Sequence, residues 1–295
     1  MNKTIRRLHA NDYLHFTSMD TGIENDYVGR IFQNLTVGDN ILYGLFMDEQ
    51  LVSVGGYTIY QEQYAMLGRL RSDRRYRGQD AATDLMKHVI HEILKQDHIK
   101  WIGANTQEDN LPARRVLEKL GLPSHIMLHG ALTKDVSMLE SGAPLWNQVT
   151  DLTQKKEWLE KLFIQSEDIF PYECFYPFPA SKQLFKEDEI REWKFYENDS
   201  KTRCLITKPD RKKYHFLHVI YPWSDFTKQK GLWETVSKDY RELAGIHEDE
   251  TYIWKDLTKE EAELLPNNHK FELPSPWILH GKKTSEWHAV HQTIK

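Results

Sequence analysis

"RRYRGQDAATDLMKH", residues 74–88, sets a run of arginines and one glycine directly before a stretch with helical periodicity. Ala82, Leu85, Met86, Val89, Ile90, Ile93 and Leu94 recur at the spacing of a helix with one buried face. When a strand runs through a glycine-containing turn into such a helix, the first-turn N–H groups have no intrahelical partner. The helix dipole adds positive potential there, so the turn can hold a phosphate. Gly78 permits close backbone approach, Ala81 and Ala82 keep the start of the helix small, and Thr83 offers a hydroxyl. Five arginines between Arg69 and Arg77 add positive field. The alternative for this segment alone is a solvated basic loop before an ordinary amphipathic helix.

Working outward, "YAMLGRLRS" (64–72) reads as the strand that enters the loop. "ILYGLFMDEQLVSVGGYTIY" (41–60) reads as two earlier strands around a hairpin at Asp48 to Gln50. Further upstream, "TIRRLH" is a short strand, and "NDYLHFTSM" and "IENDYVGRIFQNL" are helices. Downstream, "IKWIGAN" is a buried strand. "NLPARRVLEKLGL" (110–122) opens a helix with Asn110 as cap and Pro112 in the first turn, and closes it at Gly121. A strand, helix, strand, helix run around the loop implies a parallel strand pair, hence an α/β (α+β) fold.

This order resembles the GCN5-related N-acetyltransferase (GNAT) family over roughly residues 3–135. The family's acyl-CoA signature, Arg/Gln-x-x-Gly-x-Gly/Ala, matches "RYRGQD" at Arg75 and Gly78, with Asp80 on the final small position. Its second motif matches at Asn110, Ala113, Lys119, Gly121 and Leu122. The resemblance implies a mixed, splayed β-sheet flanked by helices, with acetyl-CoA as cosubstrate. The backbone of Leu70, Arg71 and Ser72 would pair with the pantetheine arm. The pyrophosphate would lie on Arg77, Gly78, Gln79, Asp80, Ala81, Ala82 and Thr83, with Asn110 opening the neighbouring helix. It also implies direct attack of a small-molecule amine on the thioester, with backbone N–H near Leu70 stabilising the oxyanion. The other reading is a non-catalytic protein that keeps the fold as a CoA, metabolite or protein-binding module.

Two departures bear on that choice. Asp80 stands where the family has a glycine whose amide meets the phosphate. Its carboxylate either caps the helix and competes with the pyrophosphate, or turns into solvent and leaves the amides free. Leu117 stands where many relatives have a tyrosine that protonates the departing thiolate, and leucine has no proton to give. No general base is marked. Glu62, Tyr64 and His125, with His129, are the candidates that could face an acceptor cleft, each also a plausible surface or core-edge residue. His88 and His91 read as solvated.

The second half repeats the hairpin order with three strand-like segments in 189–223, then a helix in "GLWETVSKDYRELAG", a strand in "TYIWKDL", a short helix in "TKEEAELL" and a final strand in "WILHGK". It reads as a degenerate second copy of the fold in tandem, with "KQKGLW" (228–233) in place of the phosphate loop. Leu232 and Trp233 are too bulky for close backbone approach. "SGAPL" (141–145) is the expected linker, giving domains 1–140 and 141–295. "FPYECFYPFP" (170–179) packs five aromatics and three prolines into one stretch, either as packing or as a lid over an acceptor pocket.

Composition bounds the rest. The 295 residues are 40% hydrophobic and 28% charged with a net charge of -5, which suggests neither disorder nor a general nucleic-acid surface. Cys174 and Cys204 form no CxxC pair, so neither a zinc framework nor a disulfide scaffold is expected. The N-terminal residues lack a signal-like apolar core. No apolar run reaches the roughly 18 residues of a membrane span, and a cytoplasmic protein is expected.

Overall fold

The computed structural model describes residues 2–247 and 250–287. In chain order its elements begin with β1 (Lys3–Arg7), α1 (Tyr13–Thr17), α2 (Tyr27–Arg30), β2 (Asn40–Met47), β3 (Gln50–Tyr60), β4 (Tyr64–Ser72), α3 (Ala81–Leu94), β5 (Trp101–Gln107), α4 (Leu111–Lys119) and β6 (Ser124–Thr133). They continue with β7 (Asn147–Val149), α5 (Leu152–Leu159), β8 (Ile169–Glu173), β9 (Tyr176–Pro179), α6 (Glu187–Glu192), β10 (Lys194–Glu197), β11 (Cys204–Arg211), β12 (His215–Ile220), α7 (Leu232–Ile246), β13 (Thr251–Leu257), α8 (Lys259–Ala262) and β14 (Trp277–Lys283). No helix among the described residues is long and apolar enough to cross a membrane.

Packing divides the chain into two compact units. The first takes Met1–His125 and the chain from Ile278 on, and the second takes Ile126–Trp277. This partition differs from the expected 1–140 and 141–295, because strand pairing sorts two segments against their order in sequence. Residues of β6 pair with β13 of the second unit, and β14 takes its place beside β5 in the first.

The first unit's sheet runs β1-β2-β3-β4-β5-β14. Its first four strands pair antiparallel in succession, and β4 pairs parallel with β5 through the connection that contains α3. The apolar stripe read from the sequence is what α3 buries: Leu85, Val89 and Ile93 are fully enclosed against Val52, Ala65 and Ile102 of the strands. The helix expected over 23–35 is shorter. Asp26 caps α2 by accepting from the Val28 N–H at 3.0 Å, and the chain leaves helical geometry at Ile31.

Several contacts hold β14 in this unit. Gly281 N–H donates to the Pro123 carbonyl at 3.0 Å and Thr284 N–H to the Lys100 carbonyl at 2.9 Å. Only glycine fits at 281, since a Cβ there would lie 2.1 Å from the buried Trp101 ring.

The second unit's sheet runs β7-β10-β11-β12-β13-β6. Three antiparallel pairings are followed by a parallel one, β12 with β13, the same sequence of directions as in the first unit. The aromatic and proline-rich segment forms the β8–β9 hairpin, and Phe170, Cys174 and Phe178 within it are fully buried. Much of that segment is therefore packing.

Candidate active site

The site begins with an irregularity in β4. Gly68 pairs with Gly56 and Arg71 with Val54, so two residues, Arg69 and Leu70, stand opposite the single Gly55. That is a β-bulge, and Arg69 takes its left-handed position with φ 58°. A bulge bends and twists its strand. On the other side, pairing with β5 stops at Leu67 opposite Ala104, leaving residues 68–72 without a β5 partner.

Beyond the end of that pairing lies a cleft of about 640 Å³. Leu70, Arg71 and Ser72 line one side, the turn and first helical residues of 77–83 another, and Asn110, Pro112, Ala113 and Val116 a third. Of the residues expected to hold a cosubstrate, the structure brings together Leu70, Arg71, Ser72, Arg77, Gly78, Asp80, Ala81, Ala82, Thr83 and Asn110. Gln79 is exposed and does not line the cleft. Asn110 caps α4, accepting from the Ala113 N–H at 3.3 Å.

Asp80 does not cap α3. Its backbone sits in the left-handed region, φ 53° and ψ 16°, and its side chain accepts nothing from the first turn. The carboxylate instead accepts from Lys119 Nζ of α4 at 2.5 Å, and that ion pair holds its pKa below the ordinary carboxylate range. The first intrahelical bond is donated by Asp84 N–H to the Asp80 carbonyl at 2.9 Å. The N–H groups of Ala81, Ala82 and Thr83 precede it and so have no intrahelical partner, and these three residues line the cleft. A left-handed backbone explains why glycine suits this position. Aspartate is among the few side chains that tolerate it.

The arginines are less available than their number suggests. Arg71 is clamped by Asp26, with Nε to Oδ2 at 2.6 Å and Nη2 to Oδ1 at 2.8 Å, and its Nη1 donates to the Leu70 carbonyl at 2.9 Å. Arg75 pairs with the fully buried Asp73, which also accepts from Asp20 N–H at 3.3 Å and so ties the loop after α1 to the arginine loop. Arg74 donates to the Gly22 carbonyl at 2.8 Å. Sequence reasoning missed this contribution: Thr21, Gly22 and Ile23 line the cleft, as do Arg115 of α4 and Lys119, which was named only within the second motif and not as a site residue. The spacing of Arg115 and Lys119, one helical turn apart on the helix opened by Asn110, was the available signal for the last two.

None of the candidate bases reaches the cleft. Glu62 is exposed at the tip of the β3–β4 hairpin with φ 60°. Tyr64 is buried beside Trp101 at the start of β4, the end remote from the bulge. His125 is exposed and hydrogen-bonds through Nε2 with the Gly281 carbonyl at 2.7 Å. His129 lies in the second unit and bonds the Pro274 carbonyl at 3.1 Å. Leu117 turns inward, 6% exposed within the core under α3.

In the second unit the corresponding turn is filled by the chain itself. Gly231 precedes α7, and Leu232 and Trp233 are wholly buried. The segment expected as a linker lies across this start: Glu234 accepts from the Ser141 and Ala143 N–H groups at 2.5 and 3.1 Å, and Trp146 Nε1–H donates to the Lys230 carbonyl at 2.8 Å. A Cβ on Gly231 would meet the Pro144 carbonyl oxygen at 2.2 Å.

Residues 5–122 match the family described as acetyltransferase (GNAT) family. No curated protein sequence matches the chain. Among solved structures, a proposed acetyltransferase of Thermoplasma acidophilum aligns over 95% of this chain and 99% of its own, with TM-score 0.54 and 14% identity. A GCN5-related N-acetyltransferase of Sphaerobacter thermophilus aligns over 96% of each chain, with TM-score 0.53 and 14% identity. At these identities the likeness is one of fold.

Proposed function

We propose that the protein, whose residues 5–122 match the acetyltransferase (GNAT) family, transfers an acetyl group from acetyl-CoA to an amine of a small molecule, using the cleft of its first unit. The observation that carries this reading is the turn at residues 77–83, where Asp80 is drawn off to Lys119 and the first-turn amides of α3 are left without a side-chain acceptor. A pyrophosphate there would take those N–H groups and the dipole of α3. The unpaired edge of residues 68–72 suits the amides of a pantetheine arm.

The amine lone pair would attack the thioester carbonyl carbon while its proton passes to water. The C–S bond then breaks and CoA leaves as a thiolate. A thiol pKa of about 8.5 makes that departure feasible near neutral pH without a protonating tyrosine. Positioning of the two substrates then carries much of the rate. We assign no second donor site to the second unit, whose corresponding turn is covered by residues 141–146. A non-catalytic, CoA-binding role is the second reading. It is favoured by the enclosure of Leu117 and by the absence of Glu62, Tyr64 and His125 from the lining of the cleft.

Calorimetry with acetyl-CoA tests the donor site. The wild type and Asp80→Gly are expected to bind, the latter somewhat more tightly. Lys119→Ala removes a cation and releases the Asp80 carboxylate, and is expected to weaken binding by about threefold or more. The double variant should recover part of that loss. Absence of binding in both wild type and Asp80→Gly would remove the donor assignment. Binding without thiol release over a panel of amines would leave the second reading.

A further inference from the structure

We infer that Cys174, Asp210 and His218 of the second unit form a binding site for a divalent transition-metal ion of the zinc type. One ring nitrogen of His218, the sulfur of Cys174 and a carboxylate oxygen of Asp210 lie within 4.8 Å of one another. Cys174 and His218 are both 0% exposed. The ligands come from three places that the fold brings together. Asp210 and His218 project from the paired strands β11 and β12, diagonal to each other in the ladder. Cys174 comes from the two-residue tip of the β8–β9 hairpin.

The histidine supplies the second, independent observation. Its Nε2 is held by Asp256 Oδ2 at 2.9 Å, while its Nδ1 is buried with no hydrogen-bond partner. In the tautomer whose Nε2–H donates to Asp256, Nδ1 carries the lone pair. That is the state of a metal-ligating imidazole, whose other nitrogen characteristically donates to a carboxylate that fixes the ring. Thiolate, imidazole and carboxylate together make a donor set suited to zinc, with three protein ligands and one position left for water.

Binding would release the thiol proton and pin the hairpin tip to the sheet. The tip is already oriented for this. Cys174 N–H donates to Asp210 Oδ2 at 2.7 Å, and the neighbouring Phe175 ring packs 4.5 Å from that of Trp254. Two cations face the cluster. Lys212 Nζ lies 3.6 Å from Asp210 Oδ1 but is paired with Glu173 at 2.5 Å, and Lys208 Nζ donates to the Tyr172 carbonyl. Each has an acceptor apart from the proposed ligand atoms, so a metal ion need not displace either.

The full chain, loaded with Zn2+ and freed of unbound metal, is expected to retain one zinc per chain by elemental analysis. Cys174→Ser and His218→Ala should lose it, while His91→Ala, on the outer face of α3, should keep it. Loading with Co2+ instead should give a thiolate-to-cobalt charge-transfer band that persists in Cys204→Ala. That readout on a chain with an intact cluster keeps the inference testable even where Cys174→Ser or His218→Ala fails to fold. Absence of both stoichiometric zinc and the cobalt band in the wild type would overturn the site. So would full retention of zinc in both ligand variants, or loss of the cobalt band in a folded Cys204→Ala.

Discussion

Arg71 and Asp26 join strand β4 to the start of α2 through two short hydrogen bonds, with side chains only 14% and 9% exposed. Burial pushes the Asp26 carboxyl up, but the hydrogen bonds from Arg71 and from the Val28 N–H outweigh it, and its pKa ends below the ordinary value. A depressed folded pKa gives stability that is complete above the unfolded value of about 3.9 and is lost as pH falls through the folded one. Asp26→Asn keeps the cap geometry and removes the charge. It is expected to cost about 2 kcal/mol at neutral pH, between the values for an exposed and a buried pair. In urea unfolding across an acid series, the gap between variant and wild type should close below pH ~4. A gap independent of pH would mean that the ion pair contributes little. The sequence marked Arg71 as a candidate, and it lines the cleft, but its partner was not marked, because Asp26 lies 45 residues away and nothing local signals the pairing.

At the scale of elements, the bulge at Arg69 lies just past the point where β4 parts from β5. Arg69→Gly retains a residue at ease with positive φ and should leave both melting and acetyl-CoA binding intact. Arg69→Val places a β-branched side chain there, at a cost of about 2 kcal/mol, and favours straight pairing that narrows the cleft. Thermal melting with calorimetry on the two variants checks this, and equal binding by both would separate the bulge from the opening of the cleft. The strand containing it was legible from end to end, 64–72, since its residues fit a buried strand between turn signals. The bulge was not, because an arginine gives no sign of a left-handed backbone. The helix over 81–94 and the cap at Asn110 were equally plain, resting on periodicity and on a named capping side chain. The candidate bases lie outside the lining of that cleft: residue type suggests proton transfer, but which end of a strand a side chain occupies relative to a splay is a tertiary fact. The proposed metal ligands, at 174, 210 and 218, share no spacing that a motif could capture.

For the whole molecule, the allocation of β14 to the first unit is what sequence periodicity could not supply. "WILHGK" announces a strand, and period-two patterning says nothing about which sheet receives it. A chain ending at residue 276 lacks the neighbour of β5 and the contacts of Gly281 and Thr284. It is expected to show fast amide exchange in β5 with protection retained in β11 and β12, as measured by hydrogen exchange and mass spectrometry. Equal protection in both sheets would show that β14 adds little to the first unit.

The same allocation bears on how the chain matures during synthesis. Domains of a nascent polypeptide ordinarily fold in the order they leave the ribosome, at about 5–20 residues per second. Here the N-terminal unit must wait for residues 278–283 of β14, while the unit encoded between its two parts is contiguous and complete first. The first unit thus closes its sheet only after the second is complete, and while nascent it carries an open edge at β5.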